Sequence, residues 1–192
     1  MTTPHWLGAN GTLHDAESRY RFHMNRGRSY LLLLIIWLIF ASYVWFSSGQ
    51  LPERVATHFG ARGEPNGWMS REGHLRFMLF VGAALPVFIL GLFAFIRRTH
   101  GWGLNIPHRD YWLAPERREH TLASIQRDGS WLAGLLIVFL ATIHYSIIAA
   151  NAQTPAVLPM AQFIGIVGGF LLAMGAWSVV FLGRFFRRPP HE

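Results

Sequence analysis

The sequence predicts an all-α integral membrane protein: four transmembrane helices with a short structured outer loop and a cytoplasmic interfacial helix. Three observations carry that reading. Charged residues make up 14% of the 192, against about 25% in soluble domains, while 52% are hydrophobic. The charges leave long gaps, with 24 uncharged residues between Arg28 and Glu53, 20 between Arg76 and Arg97, and 55 between Asp128 and Arg184. A hydrocarbon layer about 30 Å thick takes roughly 20 apolar residues at about 1.5 Å each, so the first two gaps hold one helix apiece and the third holds two. Finally, all 17 basic residues are arginine, and thirteen of them fall on one side of the resulting topology.

Taken in order, residues 1–29 form an N-terminal segment expected to be mobile. Its His5, His14 and His23 have no metal-site spacing, and Arg19, Arg21, Arg26 and Arg28 stand toward the membrane edge. The first span, about 30–48, contains the run LLLLIIWLIFASYVWF. It exceeds a signal-peptide core, follows a polar segment and precedes no A-x-A pattern, so it is read as a retained helix. The second span, about 76–96, carries Pro86, which removes one helical hydrogen bond and is expected to bend the helix. The third and fourth, about 130–150 and 162–183, are divided by Asn151, Gln153, Thr154, Pro155, Pro159 and Gln162, a polar and proline-marked turn. The four-helix domain thus covers 30–183, and a basic tail, 184–192, follows.

The arginines orient the bundle. The segment before the first span, the loop between the second and third, and the tail each carry a net +2, whereas the opposite side, loops 49–75 and 151–161 together with Arg76 at the rim of the second span, carries +1. Positive residues stay inside, so both termini and the central loop are expected to be cytoplasmic. Anionic lipid on that face is the expected partner of the arginines. Because the charge follows topology and forms no compact basic patch, nucleic-acid binding is rejected. With no cysteine, disulfides, thiolate metal sites and cysteine nucleophiles are excluded.

Apart from Arg76 at the rim of the second span, the spans contain no Asp, Glu or Arg, which argues against a carboxylate-driven pump. The ionisable group at depth is His144, with Asn151 seven residues on along the same helical stripe. It is either a functional group or a neutral imidazole bonded to a neighbouring helix or to water at the outer rim. Gly165, Gly169 and Ala173 recur at intervals of four and predict close helix packing, within the chain or with a second copy as a homo-oligomer.

The outer loop is no generic linker. Val55, Thr57 and Phe59 alternate as in an extended segment, and Gly63, Pro65, Asn66 and Gly67 supply tight-turn chemistry. Glu64 is placed to return to His58 across the turn, but one histidine and one carboxylate fall short of the three or four ligands of a zinc site, so no metal and no cofactor is expected. In the central loop, Pro115 suits the first position of a helix, with Glu116 and Glu119 at its positive end. Leu122 and Ile125 give it an apolar stripe before Gly129 breaks the pattern, as in an interfacial helix. Asn105, Pro107, Asp110, Tyr111 and Trp112 form a polar and aromatic cluster just upstream, in which Asp110 is placed to pair an arginine.

The string L-P-x-x-V-x-x-H-F-x-x-x-G-E-P-N-G-W, on Leu51, Pro52, Val55, His58, Phe59, Gly63, Glu64, Pro65, Gly67 and Trp68, resembles the hallmark of a bacterial membrane domain of unknown function. That domain also forms the N-terminal part of SdpI-type immunity and signalling proteins. The central stretch 105–119, with Asn105, Pro107, Asp110, Tyr111, Trp112 and Glu116, resembles a second motif of the same family. The resemblance implies a protein of the bacterial inner membrane with a non-enzymatic role in immunity or envelope signalling, in which the two loops bind a protein partner or peptide toxin. No G-x-S-x-G, H-E-x-x-H or phosphate loop points to an enzyme. The competing expectation is a small transporter or lipid-handling protein using His144, His58 and Glu64.

Overall fold

The computed structural model describes residues 9–186, with side chains from Gly27 onward; the first eight residues, the end of the basic tail and the side chains of His14 and His23 lie outside that description. Helix α1 (Ala9–Ser47) runs through a short 3-10 turn, Ser48–Gln50, into a hairpin of β1 (Arg54–Phe59) and β2 (Pro65–Ser70). After it come α2 (Arg71–Arg98), the four-residue α3 (Arg109–Trp112), α4 (Pro115–Asn151) and α5 (Met160–Gly183). Four helical segments, Gly27–Gln50, Arg71–Arg98, Pro115–Asn151 and Met160–Gly183, are long and apolar enough to cross a membrane. The charge gaps thus locate all four spans, and the chain has the helices of a multi-pass membrane protein.

Two elements differ from expectation. The backbone is helical from Ala9, so much of the N-terminal segment continues α1. Likewise α4 begins at Pro115, as expected, but runs unbroken to Asn151 with no separate interfacial helix. Gly129 does not end it because the Phe93 ring sits against that glycine, where a Cβ would come within 2.6 Å of the ring. A close helix crossing therefore overrides the weak local preference of glycine.

Helix α4 is the hub, packing on α2, α1 and α5. Mid-bundle, Leu33, Phe40, Val44, Met78, Ala133 and Ile137 form the buried core of α1, α2 and α4. Gly82 lets α2 approach α1, and a Cβ there would overlap the Phe40 ring. Gly82→Ala is therefore expected to cost about 1–3 kcal/mol by overpacking. Gly91→Ala, which would meet nothing within 4 Å, is expected to be neutral or slightly stabilising. Unfolding both variants by SDS titration in mixed micelles checks the contrast.

Helix α5 buries no residue and touches the bundle along α4. Gly165, Gly169 and Ala173 line a cleft with Leu135, Val138, Phe139 and Thr142. A Cβ on Gly165 or Gly169 meets nothing within 4 Å, so within the described residues these glycines do not form a tight intrachain seam, one of the two packings their spacing allows.

Candidate functional site

The ends of α1 and α4 and the start of α2 meet under the hairpin, and there Ser47, His144 and His74, one from each helix, converge. Local chemistry sets the hairpin on the bundle. Leu51, Val55 and Ile147 form a small buried core beneath it, with Phe59 and Ile148 at its margin. Asn151 then binds the strand edge. Its Oδ1 accepts from the Ala56 N–H at 2.9 Å, and its Nδ2 donates to the Ala56 carbonyl at 2.9 Å and to Ile147 O at 2.8 Å. A single carboxamide thus takes both main-chain groups that a neighbouring strand would otherwise use.

At the turn, Gly63 adopts φ +86°, a region that favours glycine, and a Cβ there would lie 2.6 Å from the Leu158 carbonyl. The Leu158 N–H donates to Gly63 O at 2.9 Å, tying the turn to the α4–α5 connection. At the other end of the hairpin, the Ser70 hydroxyl caps α2 by accepting from Gly73 N–H at 3.0 Å.

His144 lies below, with no exposed surface, beside His74 at 3% exposure. The His74 Nε2 to His144 Nδ1 distance is 3.0 Å, and His144 Nε2 is 2.9 Å from Ser47 Oγ. The two imidazole planes are 13° apart with centroids at 5.1 Å, farther apart than the nitrogens by about two ring radii, so the rings meet edge to edge in a near-linear hydrogen bond and do not stack face to face. Ser47 Oγ donates to the Tyr43 carbonyl at 2.6 Å, which leaves its lone pair to accept from His144 Nε2–H; His144 Nδ1 then accepts from His74 Nε2–H. The Tyr43 ring sits edge-on to His144 at 5.4 Å. From His74 Nε2 to the Tyr43 carbonyl each donor meets an acceptor with all groups neutral, as a low-dielectric site requires. Among the described residues no cluster of three or more metal-ligating side chains occurs.

The sequence-predicted residues of the outer loop divide by role. Phe59 packs against the small core, Pro52 is exposed, and Trp68 faces outward at 46% exposure with the Arg54 guanidinium 4.9 Å above its ring. His58 is exposed and rests on Gly67, where a Cβ would meet its side chain at 3.0 Å; its Nδ1 pairs with Thr57 Oγ1 at 3.2 Å. Glu64 does not return to His58. Its carboxylate accepts from Arg62 N–H at 3.0 Å and folds over Gly60, because the turn closes by Gly60 N–H to Glu64 O at 2.8 Å and keeps that side chain beside its own loop. The structure therefore brings Ser47 and His74 to His144, and not His58 or Glu64.

The central-loop motif lies at the opposite end of the bundle and does not share this site. There the Trp112 indole donates to Phe185 O at 3.3 Å, Arg117 lies 4.1 Å over the Tyr111 ring, and Arg184 pairs with Asp128. Arg97 pairs with Glu119 and donates to Gln126 Oε1 at 2.8 Å, and Gln126 donates to the Tyr30 hydroxyl at 2.9 Å, linking α2, α4 and α1. Asn105, Asp110 and Glu116 are exposed, Pro107 is half-buried, and Asp110 forms no ion pair among the described residues. The expected Asp110–arginine pair is absent because Arg97 is turned to Glu119 and Gln126, and Arg109 Nε donates to Leu104 O.

Residues 31–82 match a family model described as Domain of unknown function (DUF1648), a membrane-associated domain. No curated protein and no solved structure matches the chain. The matched segment holds Ser47, the whole hairpin and His74, while His144 and Asn151 on α4 complete the site from outside it.

Proposed function

We propose that this chain is a non-enzymatic multi-pass protein of the bacterial inner membrane that binds a protein partner through its outer hairpin, in the manner of SdpI-type immunity or signalling proteins. The observation that carries this reading is the fixed seat of the hairpin: the Asn151 contacts and the Leu51, Val55 and Ile147 core hold it on the bundle while Trp68 and Arg54 face outward. A pre-organised aromatic beside a cation is a favoured anchor for protein recognition, since little side-chain entropy remains to be lost on binding. The cytoplasmic loop around Tyr111 and Trp112 is the second contact, with the arginines of that face on anionic lipid. Transport through His144 is the weaker reading, because the side chain is fully buried beneath the hairpin and a route to it requires the hairpin to lift.

Photocrosslinking in living cells tests the proposal. A benzophenone amino acid at Trp68 or Trp112 is expected to capture a discrete protein adduct, whereas one at the exposed Val180 of α5 captures lipid alone. Identical adducts at all three positions, or none at Trp68 and Trp112, would sink it.

A further inference from the structure

We infer that the open edge of β2 is a docking edge for an extended, acidic polypeptide segment, which joins the hairpin as a third strand centred on Trp68. This inference rests on the partner-binding reading above and names the partner's conformation and charge. The phase of the ladder carries it. The Arg71 N–H donates to Glu53 O at 3.0 Å just before the Arg54↔Ser70 pair, which makes Arg54↔Ser70 a non-hydrogen-bonded pair, Val55↔Met69 a hydrogen-bonded one, and Ala56↔Trp68 non-hydrogen-bonded again. In such a pair the N–H and C=O of both residues point away from each other, toward the two outer edges. On the bundle side those groups of Ala56 are taken by the Asn151 carboxamide at 2.9 Å each. The equivalent groups of Trp68 point to the opposite edge, where the described residues supply no third strand. The molecule thus already uses strand-like recognition on one edge and leaves its counterpart open on the other.

Charge selects the occupant. At this end the charged groups are Glu53, Arg54, Arg62, Glu64, Arg71, Glu72 and Arg76. Glu72 is held by Arg76 at 2.6 Å, and the Glu64 carboxylate is turned to the Arg62 backbone. Arg54, Arg62 and Arg71 form no ion pair among the described residues, and neither does Glu53, which leaves the arginines in excess. Arg54 lies on Trp68 beside a shallow hollow lined by Glu53, Met69 and Ser70, so a strand laid along β2 meets a guanidinium next to an aromatic ring. Acidic side chains on such a strand complement that surface.

The test is display selection of random twelve-residue peptides on the full-length protein in phosphatidylcholine nanodiscs, counter-selected on empty nanodiscs. Enriched peptides are expected to be acidic, proline-free and rich in β-branched residues. Trp68→Pro removes only an outward N–H from the backbone, which an edge strand tolerates, and is expected to weaken binding roughly tenfold or more; Trp68→Phe should stay within about threefold. Arg54→Glu should also weaken it. Should Trp68→Pro not fold, methylating alternate backbone nitrogens of the best peptide must abolish binding instead. Helical or basic winners, equal binding to Trp68→Pro, full binding of the methylated peptide, or no enrichment over empty discs each overturn the inference. Those results combined with a partner crosslinked at Trp68 would remove the edge-pairing mode and leave the binding function standing, whereas failure of the crosslinking removes both.

Discussion

Replacing His144 by leucine is expected to cost about 2–4 kcal/mol of stability in mixed micelles, among the largest effects of any single substitution in this protein. The substitution keeps apolar bulk but strips two buried partners at once: His74 Nε2–H loses its acceptor, and Ser47 Oγ loses its donor from the imidazole. A buried polar group left without a partner costs about 1–3 kcal/mol, well above the net worth of the hydrogen bond itself. Ser47→Ala should be milder, about 1–2 kcal/mol, since it orphans only His144 Nε2, and His144→Gln should recover part of the loss by keeping a donor and an acceptor. Coupling between the two histidines follows from a double-mutant cycle with His74→Leu, in which the second substitution costs less than the first because its partner is already gone. Measured by SDS-titration unfolding, a change below about 0.5 kcal/mol for His144→Leu would show that the edge-to-edge contact of the rings contributes nothing.

Asn151→Leu is expected to release the hairpin locally while the bundle persists. It removes three hydrogen bonds and leaves the Ala56 N–H and C=O facing an apolar side chain. At about 1 kcal/mol or somewhat more for each Ala56 group, amide exchange at Ala56 should accelerate roughly a hundredfold relative to the wild type. Exchange in the middle of α4, around Ile137, should change little, because that core contains no atom of the hairpin. Asn151→Asp should give an intermediate result, since a carboxylate still accepts from Ala56 N–H but offers no donor to its carbonyl. Uniform acceleration across hairpin and bundle would contradict a local latch. Under the proposed function, the same variant should lower the yield of the Trp68 adduct more than that of the Trp112 adduct, because the two lie at opposite ends of the molecule.

The legible part of the site was the stripe on α4. His144 and Asn151, seven residues apart, both act at the hairpin end, one on the α1–α2 pair and the other on β1. His144 is bonded to both neighbouring helices, through Ser47 of α1 and His74 of α2. His74 escaped notice because Arg76 closes the charge gap and places the predicted start of the second span after it, although the helix begins at Arg71 and buries that histidine. Ser47 carries no signal at all: a hydroxyl in an apolar helix usually bonds its own backbone, and Ser47 does so while also accepting from His144. Glu64 was misplaced because a turn directs side chains by its dihedral angles and not by sequence spacing. The outer-loop motif, by contrast, becomes physical once folded, with Leu51 and Val55 as floor, Gly63 as the turn against Leu158, Gly67 as the seat of His58 and Trp68 as the outward ring.

The number of helices and their places along the chain were written in its charges. Moving an ionised side chain into hydrocarbon is so costly that the gaps between charges, with the proline-marked turn that divides the longest of them, mark the spans whatever the packing. Which residues meet was decided only by the tertiary structure. In a soluble helix one polar face reports how the helix is turned, but these spans are apolar on every side, so the sequence does not record their rotation about their axes. That rotation brings His74 and Ser47 to His144, turns Asn151 toward Ala56, and leaves the far edge of the hairpin open.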